Sequence, residues 1–291
     1  MALTEIPLAL VQGRLPELFE PAAAKPFLKW AGGKSRLLPT LRRYIPAPIG
    51  RYIEPFLGGG ALFLDTAPVA GLLGDSNPEL IGCYEVVRDS SEALINELAK
   101  FTISESEYYR IRSLAPDDLS RIQRAARFIY LNKTCYNGVY RVNKNGQFNT
   151  PFGKYAKAKL VDPANLLSVS RVLRGASLIC GDYSAIAQHA QRGDFVYFDP
   201  PYLPVSKFSD FKRYTKEFFY EEDHERLAGV FAALAARGCF VLLSNSFHEK
   251  ISALYSGFHQ EKVWVPRFVN SKGTGRGNVA ELLISNFEPR H

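Results

Sequence analysis

Apolar residues along the chain fall into two rhythms. Short unbroken runs mark buried strands: Tyr52-Ile53 ahead of a glycine turn, Leu72-Leu73 ending at Gly74-Asp75, Phe195-Val196-Tyr197-Phe198, and Cys239 to Leu243. Lys262 to Val265 and Glu281 to Ile284 add two further strands. Helical spacing takes over elsewhere. Leu37, Leu38 and Leu41 follow a glycine pair, and Ala61-Leu62-Phe63-Leu64 opens a helix after Gly60. Asn77-Pro78-Glu79 starts another, with proline in the first turn where its missing N–H costs nothing. Residues 83–135 read as mainly helical, and 222–237 as an Ala- and Leu-rich helix stopped by Gly238. Between Arg141 and Phe148, Asn145-Gly146 predicts a type I′ hairpin. Strands alternating with helices imply an α/β fold, a Rossmann-like doubly wound sheet that is mainly parallel and covered on both faces. The stretch 101–175 breaks that rhythm and reads as an insertion.

Charge changes the picture only when divided along the chain. The 291 residues are 46% hydrophobic and 22% charged, with 36 basic and 29 acidic side chains giving +7. Residues 101–175 alone carry +8. From Leu119 to Val161 there is no carboxylate, against nine basic residues: Arg121, Arg124, Arg127, Lys133, Arg141, Lys144, Lys154, Lys157 and Lys159. Phe128, Tyr130, Tyr136, Tyr140, Phe148, Phe152 and Tyr155 are interleaved with them. A charge run is ordinarily a solvated face; basic groups mixed with planar rings suit a polyanion with stackable bases, and nucleic acid is the reading preferred. No apolar run is long enough for a membrane-spanning helix, and residues 1–24 read as a loosely attached leader without the features of a signal peptide. Four scattered cysteines (Cys83, Cys135, Cys180, Cys239) lack any CxxC pair, which argues against a disulfide scaffold or zinc knuckle and fits a reducing cytoplasm.

Two motifs carry chemistry. Glu54-Pro55-Phe56-Leu57-Gly58-Gly59-Gly60 is a glycine turn after a strand, followed by Asp75 at the end of the next strand. That arrangement suits a cofactor whose polar middle lies over the turn while an acid binds a ribose diol. The dinucleotide pattern GxGxxG is not met, and Lys34 sits in a GGKS without the leading glycine of a phosphate-binding loop, which lowers NAD and ATP. S-adenosylmethionine uses the same geometry without a pyrophosphate. Asp199-Pro200-Pro201-Tyr202 is the sharper signal. A base amino group is a poor nucleophile because its lone pair is delocalised into the ring. A carboxylate (Asp199) and a carbonyl (Pro200), held by proline-stiffened backbone, can accept both N–H bonds and draw the nitrogen towards sp³ character. Tyr202 offers a face on which an extruded base stacks. The histidines show no metal spacing, no GxSxG occurs, and no cysteine follows proline as cytosine-C5 methylation requires.

Phe27–Lys34 (FLKWAGGK), Glu54–Gly60 (EPFLGGG), Gly74–Asn77 (GDSN), Asn132–Gly153 (NKTCYNGVYRVNKNGQFNTPFG) and Asp199–Tyr202 (DPPY) stand in that order. Together they resemble the Dam-type, alpha-group DNA adenine-N6 methyltransferases, over roughly residues 26–287. The resemblance implies that Trp30 and Lys34 contact S-adenosylmethionine, that Asp75 binds its ribose, and that Asp199 serves both the cofactor end and the target amine. Phe56 and Gly58 complete the candidate cofactor-binding set, and no metal is expected. It also implies a methyltransferase domain of residues 25–85 plus 176–291, with a mainly helical target-recognition domain at 86–175 carrying the hairpin. Asn137, Arg141, Asn143 and Tyr155 are the candidate DNA-binding residues. An arginine fork matches guanine O6 and N7, and Dam-like members commonly methylate the adenine of GATC, the site expected here. The aromatic and basic segment 207–220 is expected to close near a flipped base. Residues 266–278 are either a plain solvated loop or, as the resemblance suggests, a phosphate clamp. Double-stranded DNA is the expected partner, with a cognate restriction endonuclease as a further one.

Three other readings stay open on sequence: a cytosine-N4 or RNA amino-methyltransferase using the same site, a non-catalytic DNA-binding protein on the same scaffold, and a nicotinamide oxidoreductase. The intact DPPY with Trp30, Lys34 and Asp75 speaks against the second, and the broken glycine pattern against the third.

Overall fold

The computed structural model describes residues 24–155, 159–203, 219–266 and 278–290. The leader up to residue 23, most of the aromatic and basic segment after DPPY (204–218) and most of the Gly-rich basic stretch (267–277) lie outside the described residues.

Parallel strands buried on both faces read as continuous apolar runs, and the runs singled out above form such a sheet. Strands β1 (Tyr52–Glu54), β2 (Gly71–Asp75), β3 (Ala176–Cys180), β4 (Phe195–Phe198) and β5 (Phe240–Ser246) are parallel. A hairpin of β6 (His259–Pro266) and β7 (Asn278–Ser285) completes the sheet, with β7 antiparallel to β5. The order is β3-β2-β1-β4-β5-β7-β6. Alternate residues feed two separate cores. Tyr52, Phe195, Tyr197, Leu242 and Leu283 face one; Ile53, Val196, Phe198, Val241, Leu243 and Ile284 face the other.

The chain leaves β1 towards β2 and β3 on one side, and returns at β4 to build outward on the other. At such a reversal the flanking connections leave in opposite directions, opening a crevice beyond the carboxyl ends of the two central strands. Those ends are Glu54 of β1 and Phe198-Asp199 of β4, the places where the sequence carries its two motifs.

Helices α7 (Tyr183–Gln188), α8 (Glu221–Ala236) and α9 (Glu249–Leu254) contribute to the second core. Gly238, at φ +85°, ends α8 as expected. The first core receives α1 (Leu38–Leu41), α2 (Ala61–Thr66), which links β1 to β2, and a long excursion between β2 and β3: α3 (Pro78–Leu98), α4 (Glu105–Ser113), α5 (Arg121–Thr134) and α6 (Pro163–Leu173). Asn77 caps α3 by accepting from Glu79 N (3.0 Å) and Leu80 N (3.3 Å). The expected division at 85/86 falls inside α3, whose one non-helical residue is Ser90 (φ −145°, ψ 35°). Helices α3 and α5 share the first core with the sheet, so apolar packing runs unbroken across that division.

Two local expectations are corrected. The hairpin is not type I′, which needs φ > 0 at both central residues. Asn143 N donates to Gln147 O (2.8 Å), Gly146 N donates to Asn143 O (2.9 Å), and only Gly146 of the loop is left-handed (φ +79°). It is the three-residue loop with a glycine at the bulge. Strand β3 was not anticipated, because Ala176–Cys180 lies on the sheet edge with one buried residue and gives no apolar run.

The N-terminal segment is tied to the excursion by one side chain. Fully buried Asn132 on α5 accepts from Lys29 N (2.8 Å) and donates to Lys29 O (2.7 Å), pairing the segment as a strand neighbour would. Phe27 and Leu28 are buried beside it, and Trp30 to Lys34 are thereby carried over the crevice.

Candidate active site

The glycine turn is assembled by β2. Leu57 N donates to Gly74 O (2.8 Å) and Gly58 N donates to Asp75 Oδ2 (3.1 Å), while Asn77 N donates to Asp75 Oδ1 (3.0 Å). Burial pushes the Asp75 carboxyl up to about 6, with the Asn77 and Gly58 amides pulling the other way. Gly58 is left-handed (φ +47°), and a Cβ there would stand 2.7 Å from Trp30 Cδ1. Only glycine lets the indole lie against the turn. Phe56 stacks on Tyr183 (centroids 5.0 Å, 26°) and meets Phe198 edge-on, forming an aromatic wall beside Asp75. Tyr183 is missing from the sequence-derived candidates. Its signal was available in Gly181-Asp182-Tyr183, but that triplet follows β3, the strand that went unread.

At the end of β4, Asp199 meets a buried cation. Lys34 Nζ lies 2.7 Å from Asp199 Oδ1 and donates to Gly32 O (2.7 Å). Ser244 on β5 donates to the same Oδ1 (3.1 Å) and is itself 2.9 Å from Tyr197 OH. Burial raises the Asp199 carboxyl above its ordinary value, opposed by Lys34 and the Ser244 hydroxyl. Burial, the largest influence, would lower the Lys34 ammonium, but Asp199, Tyr197 and Glu281 together outweigh it and the net direction is up. Tyr202 holds its ring 4.8 Å from Lys34 Nζ and donates its hydroxyl to Glu281 on β7 (3.1 Å). Beneath the site, buried Glu54 accepts from Tyr52 OH (2.8 Å), and burial pushes its carboxyl up to about 8. Trp30, Lys34, Phe56, Gly58, Asp75, Asp199 and Tyr202 thus lie at or over the carboxyl ends of the central strands. Among the described residues no cluster of metal-ligating side chains occurs.

The candidate DNA-binding residues form a second group. Asn137 is left-handed (φ 55°) and exposed; its N–H donates to Tyr155 OH (2.9 Å), over whose ring Lys29 Nζ sits at 4.5 Å. Arg141 is half-buried, donating from Nε to Asn149 Oδ1 (2.7 Å). Asn143 is absorbed by its own turn, accepting from Asn145 N (2.9 Å) and Gln147 N (3.0 Å) and donating to Gln147 Oε1 (2.9 Å). Tyr136, outside the candidate set, is 54% exposed next to Asn137 and presents a bare ring.

The carboxylate-free run is less positive in space than in sequence. Arg121 pairs with Glu85, Arg124 with Glu79 and Asp117, and Lys159 with Asp162, all acids outside the run. Arg127 is buried, donating to Ile111 O and Arg112 O at the end of α4. Among the described residues of the run, the exposed basic side chains outside those ion pairs are Lys144 and Lys154, and Arg141 is half-buried. One aromatic column joins the two groups: Trp30 stacks on Tyr140 (6.0 Å, 25°), which meets Phe148 across the hairpin (5.5 Å), with Phe128 of α5 bracing Tyr140 at 5.1 Å.

Comparison with known proteins narrows the chemistry. Residues 30–267 match the sequence profile of the family described as D12 class N6 adenine-specific DNA methyltransferase. The chain is 40% identical over 271 residues to the type II methyltransferase M1.LlaDCHI of Lactococcus lactis subsp. cremoris, covering 90% of this chain and 95% of that protein. It is 40% identical over 286 residues to the type II methyltransferase M.MjaIII of Methanocaldococcus jannaschii, at 90% and 99% coverage. The DNA adenine methylase of Escherichia coli K12 is 34% identical over 262 residues, at 88% and 93%.

Glu54 generates a prediction about stability. Its folded pKa, about 8, exceeds the ordinary 4.5, so the folded chain retains a proton that the unfolded chain releases between those values. Wild-type stability should therefore fall as pH rises through that window, at up to about 1.4 kcal/mol per pH unit from this group. Glu54→Gln should flatten the dependence in urea unfolding between pH 5 and 8. Parallel curves for the two proteins would show that Glu54 is ionised in the fold.

Proposed function

This chain belongs to the D12 class of N6 adenine-specific DNA methyltransferases, and from that premise we propose how its crevice performs the transfer. The enzyme methylates adenine in DNA at a specific site. The observation that carries the assignment of roles is the meeting, at the reversal of strand order, of Asp75 with its glycine turn and Asp199 with Tyr202.

S-adenosylmethionine is the methyl donor proposed, and when bound it supplies an electrophilic methyl group on a sulfonium. The residues present fit it. Asp75 offers a carboxylate suited to a ribose diol, the turn at Gly58 admits close backbone approach, and the Phe56–Tyr183 wall offers a flat apolar face beside that acid. Trp30 buttresses the turn from outside. Lys34 holds Asp199 while its own charge is satisfied by Gly32 O and that carboxylate.

On the acceptor side, Asp199 Oδ1 is occupied by Lys34 and Ser244, and Oδ2 receives no donor among the described residues. Oδ2 and the Pro200 carbonyl are the two acceptors assigned to the adenine N6 hydrogens. As the nitrogen gains its methyl it gives up one proton, and Oδ2 is the oxygen positioned to take it towards solvent. Tyr202, fixed by Glu281, provides the stacking face for the extruded adenine. Proximity and preorganised acceptors supply the rate, because no covalent enzyme intermediate is needed.

For recognition we assign Asn137, Arg141, Asn143 and Tyr155 to DNA within a recognition unit spanning 86–175, with GATC as the site. Base reading by Arg141 requires exchanging Asn149 for guanine, whereas Asn143 acts first by shaping the loop. A cognate restriction endonuclease is the further partner, supported by the type II names of the two 40% relatives. Four free cysteines support a reducing cytoplasm, and among the described residues no helix is long and apolar enough to cross a membrane.

Three substitutions separate these roles. Asp199→Ala should abolish turnover while DNA affinity stays near wild type, since the lost contacts matter mainly in the transition state; near-normal methylation in a filter assay would refute its role. Asp75→Ala should weaken S-adenosylmethionine by about 1–3 kcal/mol in calorimetry, the scale for hydrogen bonds to a charged acceptor. Unchanged affinity removes Asp75 from the ribose. Arg141→Ala should lose about 1–3 kcal/mol of preference for a GATC duplex over one with the guanine replaced. Equal weakening on both duplexes would instead assign Arg141 to phosphate.

A further inference from the structure

We propose that Ser244, backed by Tyr197, is a positioning residue that keeps one oxygen of Asp199 engaged so that the other is aimed at the target amine. The proposal rests on the reading of Asp199 given above and extends it to two side chains that belong to no motif.

The geometry is specific. A carboxylate rotates freely about its Cβ–Cγ bond unless its oxygens are distinguished. Here Oδ1 takes two donors from different elements, Lys34 Nζ at 2.7 Å and Ser244 Oγ at 3.1 Å, while Oδ2 takes none among the described residues. Lysine cannot set that orientation alone, because an ammonium on a long stem follows whichever oxygen turns towards it. A hydroxyl on a β-strand is anchored by the sheet: Ser244 is fully buried and its backbone stands in register with Leu283 of β7. Its rotor is also set. Because Ser244 gives its hydrogen to Asp199, the contact with Tyr197 OH (2.9 Å) must be one in which the tyrosine donates. Tyr197 itself is buried two residues before Asp199 on β4, so β4 supplies both the carboxylate and the far end of the chain that orients it.

Among the described residues, charged and titratable groups from several elements face this carboxylate. Lys34 comes from the N-terminal segment, Glu54 and Tyr52 from β1, Tyr197 from β4, Tyr202 from the segment after it, and Glu281 from β7. Burial disfavours a negative Asp199, and Lys34 and the Ser244 hydroxyl oppose it, while Asp199 in turn raises the carboxyls of Glu54 and Glu281. Removing the hydroxyl therefore has two consequences. Asp199 loses its fixed orientation, and its carboxyl titrates at higher pH, so the acid limb of turnover moves upward.

The test uses the full chain with S-adenosylmethionine and unmethylated plasmid DNA, following kcat and both KM values against pH. Ser244→Ala should lower kcat by about tenfold or more, the scale of one lost hydrogen bond to a charged acceptor. Its acid limb should move to higher pH, with KM for cofactor and for DNA within about twofold of wild type. Ser244→Thr, which keeps the hydroxyl, should restore the wild-type pH profile. Tyr197→Phe, which preserves the ring and the packing, should shift the limb in the same direction by less. A Ser244→Ala enzyme whose kcat falls with an unmoved acid limb, or whose KM values rise instead, overturns the proposal in favour of a packing role. Wild-type behaviour in both Ser244→Ala and Tyr197→Phe overturns it outright. Asp199→Ala run alongside distinguishes the two levels: if that variant still methylates, the Asp199 assignment has failed, whereas a dead Asp199→Ala beside an unaffected Ser244→Ala defeats the positioning role alone.

Discussion

The buried contact between Lys34 and Asp199 is the constraint on which the rest of the site depends. Taking a carboxylate and an ammonium out of water costs several kcal/mol each, and their attraction offsets that cost only when both are further hydrogen-bonded. Lys34 is 4% exposed and has Gly32 O as its second acceptor; Asp199 has Ser244 as its second donor. Remove either ion and the other is left charged and unpaired. The pair therefore ties the N-terminal segment to the end of β4, two parts of the chain more than 160 residues apart.

That tie needs a segment already held in place, and the holding is done by groups with no chemistry of their own. Asn132 binds the Lys29 backbone at both its N–H and its C=O, and Trp30 presses on a turn that only glycine can form. The same indole reaches the hairpin through Tyr140. The crevice and the hairpin thus share one packed column, and the first core takes residues from both sides of the division expected at 85/86.

Some of this was legible in the residues alone. Parallel strands buried on both faces have to be apolar throughout, so β1, β2, β4 and β5 stood out, and their two motifs marked the strand ends that matter. Edge strand β3 did not, since a strand buried on one side leaves a weak trace, and Tyr183 behind it was lost with it. The charge run is legible only in part: it contains no acid, yet Arg121, Arg124 and Lys159 pair with acids outside it, and Arg127 is buried on the carbonyls that end α4. Net charge along a sequence is additive; its display on a surface is not.

Local composition was enough to decide which residue types could do this chemistry: a carboxylate stiffened by two prolines, an aromatic ring after it, a glycine turn and an acid at the next strand's end. Those features depend on backbone geometry over a few residues, and a few residues encode it. What the folded chain decided is which oxygen of Asp199 takes Lys34 and Ser244, which is left open among the described residues, and that Ser244, Tyr197 and Glu281 surround the site. Strand register between β4, β5 and β7 places Ser244, Tyr197 and Glu281, dozens of positions apart, and the N-terminal segment held by Asn132 places Lys34. No run of neighbouring residues carries that register, because it is set by the packing of both cores against the sheet at once.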